Sequence, residues 1–318
     1  MNRTIVTGGA GFIGSALVRA LIKQPAAEVI VVDNLLTGTL ENLEDVAASI
    51  AFHHVDIGDF DALAPLVAGA DVVYHMAAIP SVPRSIKDPV PSHVTNIDGT
   101  FQLLRACVAG KVRRVVYAAS SSAYGDTEAL PKVESMQPRP LSPYAAQKLM
   151  GEYYCSTFCD CFGLETVSLR FFNVYGPRQD PSSPYSGVIS IFMRCLLERR
   201  PPPIHGDGEQ SRDFTFVDDV VALCLKAARA EGVAGKVYNA GNGHRFTLNQ
   251  VWEALQKIEG IRLPARYQPS REGDVRHSQA DTAAAVLDLG HEPQFSLEDG
   301  LRRTLEWYRA RTPASVSL

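Results

Sequence analysis

The chain predicts an α/β fold: a doubly wound parallel sheet joined to a smaller, discontinuous α/β domain. Three observations predict it. Short apolar segments alternate with helix-patterned ones through the first half, the order that a parallel sheet with right-handed crossovers requires. Those apolar segments are continuous rather than alternating with polar residues, which suits strands covered on both faces. A glycine-rich turn, Gly8-Gly9-Ala10-Gly11-Phe12-Ile13-Gly14, joins the first strand to the first helix.

The elements follow in order. Thr4 to Thr7 is the first strand, and Phe12 to Ile22 has helical spacing. Glu28 to Asp33, Ala51 to Val55 and Val72 to His75 are the second, third and fourth strands. Val94 to Val108 reads as one helix, Arg114 to Ala119 as the fifth strand, Tyr144 to Phe162 as a helix and Glu165 to Arg170 as the sixth strand. After Phe172 the texture changes. Pro177 to Pro184 is rich in Pro, Ser and Asp, Pro201-Pro202-Pro203 ends a helix, and Gly206-Asp207-Gly208 marks a turn. Val217 to Ala230 is helical again and Gly235 to Ala240 is one more strand. Leu248 to Glu259, with Thr247 as cap, and Leu297 to Arg309 are amphipathic helices. The expected division is residues 1–172 plus 214–242 for one domain and 173–213 plus 243–318 for the other.

Composition excludes several classes. With 46% hydrophobic and 21% charged residues, the chain is ordinary for a globular protein. A formal net charge of −4 lacks the basic surplus of a nucleic-acid binder. No apolar run approaches the roughly eighteen residues of a membrane helix. An apolar strand begins four residues from Met1, which leaves no room for a secretory signal. The six cysteines include no Cys-x-x-Cys pair and have no zinc-site spacing, so no metal is assigned. A cytoplasmic protein with reduced thiols is the expectation.

The glycine turn carries the first chemistry. A diphosphate needs backbone N–H groups at close range, and the helix N-terminus adds partial positive charge. Asp33 ends the second strand, 19 residues after Gly14, where a carboxylate accepts the adenosine ribose hydroxyls of a dinucleotide. It would repel a 2′-phosphate, so NAD is expected rather than NADP. Strand, glycines, helix and acid together make this a Rossmann nucleotide site. Asp56-Ile57, after the third strand, could read an adenine edge. Met76-Ala77-Ala78, after the fourth, are small enough for close approach to the cofactor.

Tyr144 and Lys148 lie four apart on one helix face. A free Tyr titrates near 10, and a neighbouring ammonium with a positive nicotinamide ring would lower it into the range of a general base. Ser120-Ser121-Ser122 follows the fifth strand, where a hydroxyl can bond a substrate oxygen.

Together these residues resemble the extended short-chain dehydrogenase/reductase family, in particular its NAD-dependent nucleotide-sugar epimerases. The likeness spans nearly the whole chain and includes Leu169-Arg170-Phe171-Phe172-Asn173-Val174-Tyr175-Gly176. Counting back from Tyr124-Gly125, the family's catalytic hydroxyl falls on Ser120, with Tyr144 and Lys148 completing the triad. The resemblance implies cofactor contacts at Gly8, Gly11, Phe12, Ile13, Asp33, Asn34, Leu35, Thr37, Gly38, Asp56, Ile57, Met76, Ala77, Ala78, Asn96, Tyr144, Lys148, Phe171 and Val174.

Further stretches are similar to the subgroup that epimerises UDP-N-acetylglucosamine and UDP-N-acetylgalactosamine at C4. They are Ser81-Val82-Pro83-Arg84-Ser85, Arg178-Gln179-Asp180-Pro181, Gly206 to Phe214 and Arg271 to Ser278. By that similarity Arg212, Arg271 and Asn173 hold the diphosphate, and Asp274 accepts a uridine ribose hydroxyl. Ser81, Arg84, Ser120, Ser121, Ser122, Tyr144, Gln179, Gly187, Val188 and Ser278 complete the sugar site. Ser278 stands where epimerases restricted to glucose and galactose carry a bulky Tyr, which leaves volume for an N-acetyl group. Pro80 departs from the Gly common among relatives, and it stiffens that loop and removes a donor.

The implied reaction is reversible C4 epimerisation through a 4-keto intermediate with bound NAD. The alternatives are UDP-glucose/UDP-galactose epimerisation, or nucleotide-sugar dehydration or decarboxylation. Dehydratases of the family place Asp-Glu directly after the catalytic hydroxyl, where this chain has Ser121-Ser122. The resemblance also implies a homodimer through the helices matching Val94–Val108 and Tyr144–Phe162.

Overall fold

The computed structural model describes residues 2–180, 187–270 and 275–311. Its centre is a seven-stranded, all-parallel sheet. Six strands come in chain order: β1 (Asn2–Thr7), β2 (Ala27–Asp33), β3 (Ala51–His54), β4 (Val72–His75), β5 (Arg114–Ser120) and β6 (Glu165–Phe171). The seventh is Val237–Ala240. Their spatial order is Val237–Ala240, β6, β5, β4, β1, β2, β3. Strand order therefore reverses between β1 and β4, and the crevice at their carboxyl ends is where such sheets bind ligands.

Apolar continuity has the expected cause. Along β1, β2, β4 and β5 successive side chains enter opposite cores. Val6, Val29, Val31, Tyr74 and Val116 pack on one face. Ile5, Ile30, Val32, Val73, Val115 and Tyr117 pack on the other. The first core continues without interruption into Trp252, Leu301 and Tyr308, so the C-terminal helices share one sheet face with the first half of the chain.

Two elements differ from the sequence-based expectation. The single helix expected over Val94–Val108 is a helical turn at Pro89–His93, a π-helical turn at Val94–Gly99 and an α-helix at Thr100–Ala109. The wider turn fits the crowding there: a Cβ on Gly99 would lie 2.8 Å from Ile57 Cγ1. Pro201–Pro203 does not end a helix. The helix Val188–Leu197 stops earlier, and Pro203 opens a short strand that pairs with Arg266–Gln268. No described helix is long and apolar enough to cross a membrane.

Candidate active site

The glycine turn is shaped by backbone contacts. Gly8 has φ 69°, and a Cβ there would lie 2.5 Å from the Ala77 backbone nitrogen. A Cβ on Gly14 would run into the Gly8 carbonyl oxygen. No side chain caps the helix α1 (Phe12–Leu21) that follows Gly11, so its first-turn N–H groups remain available to an anion. A Cβ on Gly38 would lie 2.8 Å from the Ala10 carbonyl carbon, so the loop after β2 closes tightly over the turn.

Asp33 locks this arrangement. One carboxylate oxygen accepts from the Ala10 backbone N–H at 2.9 Å and the other from Leu35 N–H at 2.8 Å. Burial pushes its carboxyl upward, and the two N–H donors pull it back. Asn34 donates to Asp56 at 2.7 Å, and Asp56 also accepts from Gly58 N–H at 2.7 Å. Ile57 is buried beside them, while Leu35, at φ 57°, and exposed Thr37 form the rim. Met76, Ala77 and Ala78 are half-buried along the β4 end. Asn96 is buried in the turn Val94–Gly99. Its amide brackets Ile79, accepting from its N–H at 2.9 Å, and donates to Gln147 at 3.0 Å. It supports the crevice wall from behind.

The expected triad comes together at the C-terminal ends of the strands. Ser120 ends β5, and its hydroxyl lies 2.8 Å from that of Ser122. The helix Pro143–Phe162 opens with Ser142 as cap, which accepts from Ala145 N–H at 3.2 Å. Tyr144 therefore stands in its first turn. The Tyr144 N–H donates to Ser85 at 3.1 Å, which ties the helix to the short segment Val82–Lys87. Ser81 caps that segment by accepting from Arg84 N–H at 3.1 Å, so its hydroxyl already has a structural task.

Charge at the triad departs from expectation in one respect. Burial pushes the Tyr144 phenol above its ordinary value, and the opposing pull comes from the Ser120 hydroxyl. The lowering expected from a neighbouring ammonium is not produced by this chain alone, because desolvation wins. Lys148 is 3% exposed, and burial brings its ammonium down to about 8, with the Glu152 carboxylate pulling upward.

The expected sugar residues form two further groups. Asn173 and Val174 lie on the strand Asn173–Tyr175, next to Phe171. Gln179 donates to the Val174 carbonyl at 3.5 Å, and a Cβ on Gly187 would lie 3.0 Å from its amide nitrogen. Val188 begins the helix behind Gly187. In the second group, Arg212 donates to the Ser211 and Arg276 carbonyls at 3.0 and 3.1 Å, and Ser278 N–H donates to Ser211 at 3.0 Å. Arg271 and Asp274 lie outside the described residues.

Several supporting residues were not singled out by the sequence. Arg170 and Glu152 form a buried, forked ion pair at 2.8–3.2 Å. A charged residue set between the apolar Leu169 and Phe171 was its signal. His75 is fully buried between Thr7 and Thr100, 2.9 Å from each hydroxyl. Asp213 is fully buried and accepts from the N–H groups of Asn242, Gly243 and Ala280 at 2.8–3.1 Å. It ties three loops of the second half together.

Residues 4–241 match the model of the NAD dependent epimerase/dehydratase family. The chain belongs to that family. It is 39% identical to a UDP-glucose 4-epimerase of Mycolicibacterium smegmatis, over 98% of this chain and 99% of the relative. Among solved structures it resembles a UDP-N-acetylglucosamine 4-epimerase from Methanobrevibacter ruminantium M1 in complex with UDP-N-acetylmuramic acid. That likeness has a TM-score of 0.93 and 36% identity, covering 98% of this chain and 99% of the other. It also resembles a UDP-glucuronic acid 4-epimerase from Bacillus cereus in complex with UDP-glucuronic acid and NAD, with a TM-score of 0.90 and 35% identity, covering 97% and 99%. As in its family, NAD is the cofactor of this epimerase/dehydratase. The Gly8 and Gly14 cradle, the uncapped α1 N-terminus and the Asp33 carboxylate fit a dinucleotide.

Proposed function

We propose that this enzyme interconverts UDP-N-acetylglucosamine and UDP-N-acetylgalactosamine by C4 epimerisation. The observation that carries the reading is the grouping of Ser120, Tyr144 and Lys148 with serines, not acids, in the next two positions. Ser121 and Ser122 form a short 3-10 turn, and Ser122 is bonded to Ser120. Elimination of water needs an acid and base there, and a serine pair supplies neither.

In this reading Tyr144 takes the proton of the sugar 4-hydroxyl and later returns it. Ser120 donates to the same oxygen as charge develops. Lys148 keeps a positive charge beneath them. NAD, when bound, supplies the hydride acceptor and donor and so carries the redox step. Residues 1–172 plus 214–242 hold the dinucleotide. Residues 173–213 plus 243–318 hold the UDP-sugar, with Arg212 and Arg271 at the diphosphate and Asp274 at the uridine ribose. The sugar rests among smaller or neutral side chains, including Gly187, Gln179 and Ser278, with room for the 4-keto sugar to turn over. The likeness to a UDP-glucose 4-epimerase favours activity on UDP-glucose as a second reading.

The active form in this proposal is a cytoplasmic homodimer. Val82, Ile86, Val90 and Val94 are exposed on the short helices preceding Thr100, and Leu141, Met150 and Tyr153 on the neighbouring segment and helix. Such an apolar face suits a second copy of the chain. Six free thiols suit a reducing compartment.

Incubating the enzyme with UDP-N-acetylglucosamine and resolving the product by proton NMR tests the reading. We expect an equilibrium mixture of the two N-acetylhexosamines. Tyr144→Phe should slow it by about 10²- to 10⁴-fold with UDP-sugar affinity kept. Loss of water or carbon dioxide from a sugar substrate would overturn the reaction class, and full activity of the variant would overturn the role of Tyr144.

A further inference from the structure

We propose that Tyr117 is the positioning residue for Lys148, gripping that lysine at both its backbone and its ammonium. The inference rests on the reading of Lys148 given above and adds a residue that the catalytic triad does not contain.

Tyr117 lies on β5, fully buried, three residues before Ser120. Its ring face receives the Lys148 ammonium at 4.4 Å from the ring centroid. Its hydroxyl donates to the Lys148 carbonyl at 3.3 Å. One side chain thus meets both ends of the lysine. The helix is adapted to admit it. Gly151, three residues after Lys148, faces the ring, and a Cβ at that position would overlap the Tyr117 hydroxyl. Glycine in mid-helix costs stability relative to alanine, so its presence needs a reason, and close approach of Tyr117 is one.

The charges around Lys148 show why a ring is used. The carboxylate that acts on Lys148, Glu152, is one helical turn on and occupied by Arg170 in the forked pair. Cys155, on the same helix, is buried, and burial pushes its thiol up to about 12, so it stays neutral. From β4, His75 lies beside Tyr117 at 5.4 Å between ring centroids, the planes tilted by 38°. Burial and the Lys148 charge hold its imidazole down at about 3, so it adds no second cation. Thr100 donates to the Asn96 carbonyl at 2.8 Å, which leaves it to accept from His75 Nε2–H, and the Thr7 hydroxyl lies 2.9 Å from Nδ1, where a neutral imidazole can accept. Among the described residues, no carboxylate pairs with Lys148. A direct ion pair would anchor the ammonium away from Tyr144. The negative face of an aromatic ring stabilises the charge without claiming its N–H donors.

The test titrates Lys148 directly. Protein labelled with ¹⁵N at lysine Nζ is followed by NMR across pH, and Lys148→Met identifies the resonance. We expect the Lys148 midpoint of Tyr117→Leu to fall by about one pH unit, with Tyr117→Phe within a few tenths of the parent, since the ring remains. The falling alkaline limb of the kcat profile should move by the same amount. An unchanged midpoint in folded Tyr117→Leu overturns the proposal. If that variant does not fold, phenylalanines of increasing ring fluorination at position 117 preserve shape while weakening the ring face. The midpoint should then fall stepwise, and no dependence on fluorination overturns the proposal. Lys148→Met separates the two readings: if it keeps epimerase activity, the catalytic role of Lys148 fails, while the NMR midpoint still decides whether Tyr117 holds it.

Discussion

The two halves of the site are built from different materials. Around the nucleotide, the determining atoms are backbone atoms and buried, fully bonded polar groups. Gly8 and Gly14 leave room only for main chain, Asp33 spans Ala10 and Leu35, and Thr7, His75, Thr100 and Asn96 form one closed chain of hydrogen bonds. Around the sugar, the candidate contacts are side chains on strands of two or three residues and on loops. Arg212 rests on neighbouring carbonyls, and Gln179 holds Val174 at 3.5 Å. On the proposed function, the cofactor grip would belong to the fold and substrate choice to a few replaceable side chains.

The largest effect should come from breaking the nucleotide half at its buried pair. Arg170 and Glu152 are 5% and 2% exposed, so removing the carboxylate strands a charge in a low-dielectric core. We expect Glu152→Ala to cost about 3–5 kcal/mol in urea unfolding. On the sugar side, Arg276 and Asp207 pair at 2.9 Å but are 60% and 54% exposed, and Asp207→Ala should leave the urea midpoint unchanged. Equal shifts for the two variants would erase the contrast.

Acid sharpens the same comparison. His75 is held at about 3 in the folded chain by burial and by Lys148, against an ordinary 6.5 when unfolded. Below pH 6.5 the unfolded chain therefore binds a proton that the folded chain refuses, and stability falls as pH drops from 6.5 towards 3. One such group contributes a slope of about 1.4 kcal/mol per pH unit. We expect His75→Gln, whose amide can span Thr7 and Thr100, to lose that part of the slope between pH 6 and 4. His277, half-buried on the sugar side and bonded to Ser211, should show little of this slope when replaced. Measuring unfolding free energy at several pH values checks both, and an unchanged slope in His75→Gln would remove it as the acid-sensitive group.

Legibility divided along the same line. Strand–helix alternation, the glycine turn, Asp33 and the Tyr144–Lys148 spacing were readable because each depends on local chain geometry. The supports were not. His75, Tyr117 and Lys148 are far apart in sequence and meet only because β4 and β5 pair in parallel with the long helix across them. Glu152 and Arg170 likewise join a helix to a strand. Two residues marked these places without explaining them: Arg170 between Leu169 and Phe171 in a strand, and Gly151 in the middle of a helix. The π-helical turn at Val94–Gly99 brings Gly99 close to Ile57, a tertiary approach that no periodicity encodes. Asn96 adds a contact that its position alone does not encode: its amide joins Ile79 to Gln147, the latter 51 residues on from Asn96 in the chain.

The smallest effect on stability, and the most informative on specificity, should come from Ser278→Tyr. The backbone N–H of Ser278 donates to Ser211 at 3.0 Å, so the main chain stays in place and the change is confined to the side chain. We expect unfolding free energy to change by no more than about 0.5 kcal/mol. The added ring should fill volume that an N-acetyl group needs and raise the preference for UDP-glucose over UDP-N-acetylglucosamine by roughly ten-fold or more. Competition between the two substrates, with both products resolved by NMR, gives the ratio of kcat/KM directly. An unchanged ratio would move the gate to the other group of sugar residues. There the 3.0 Å between a Cβ on Gly187 and the Gln179 amide makes Gly187→Ala the substitution that narrows the pocket next.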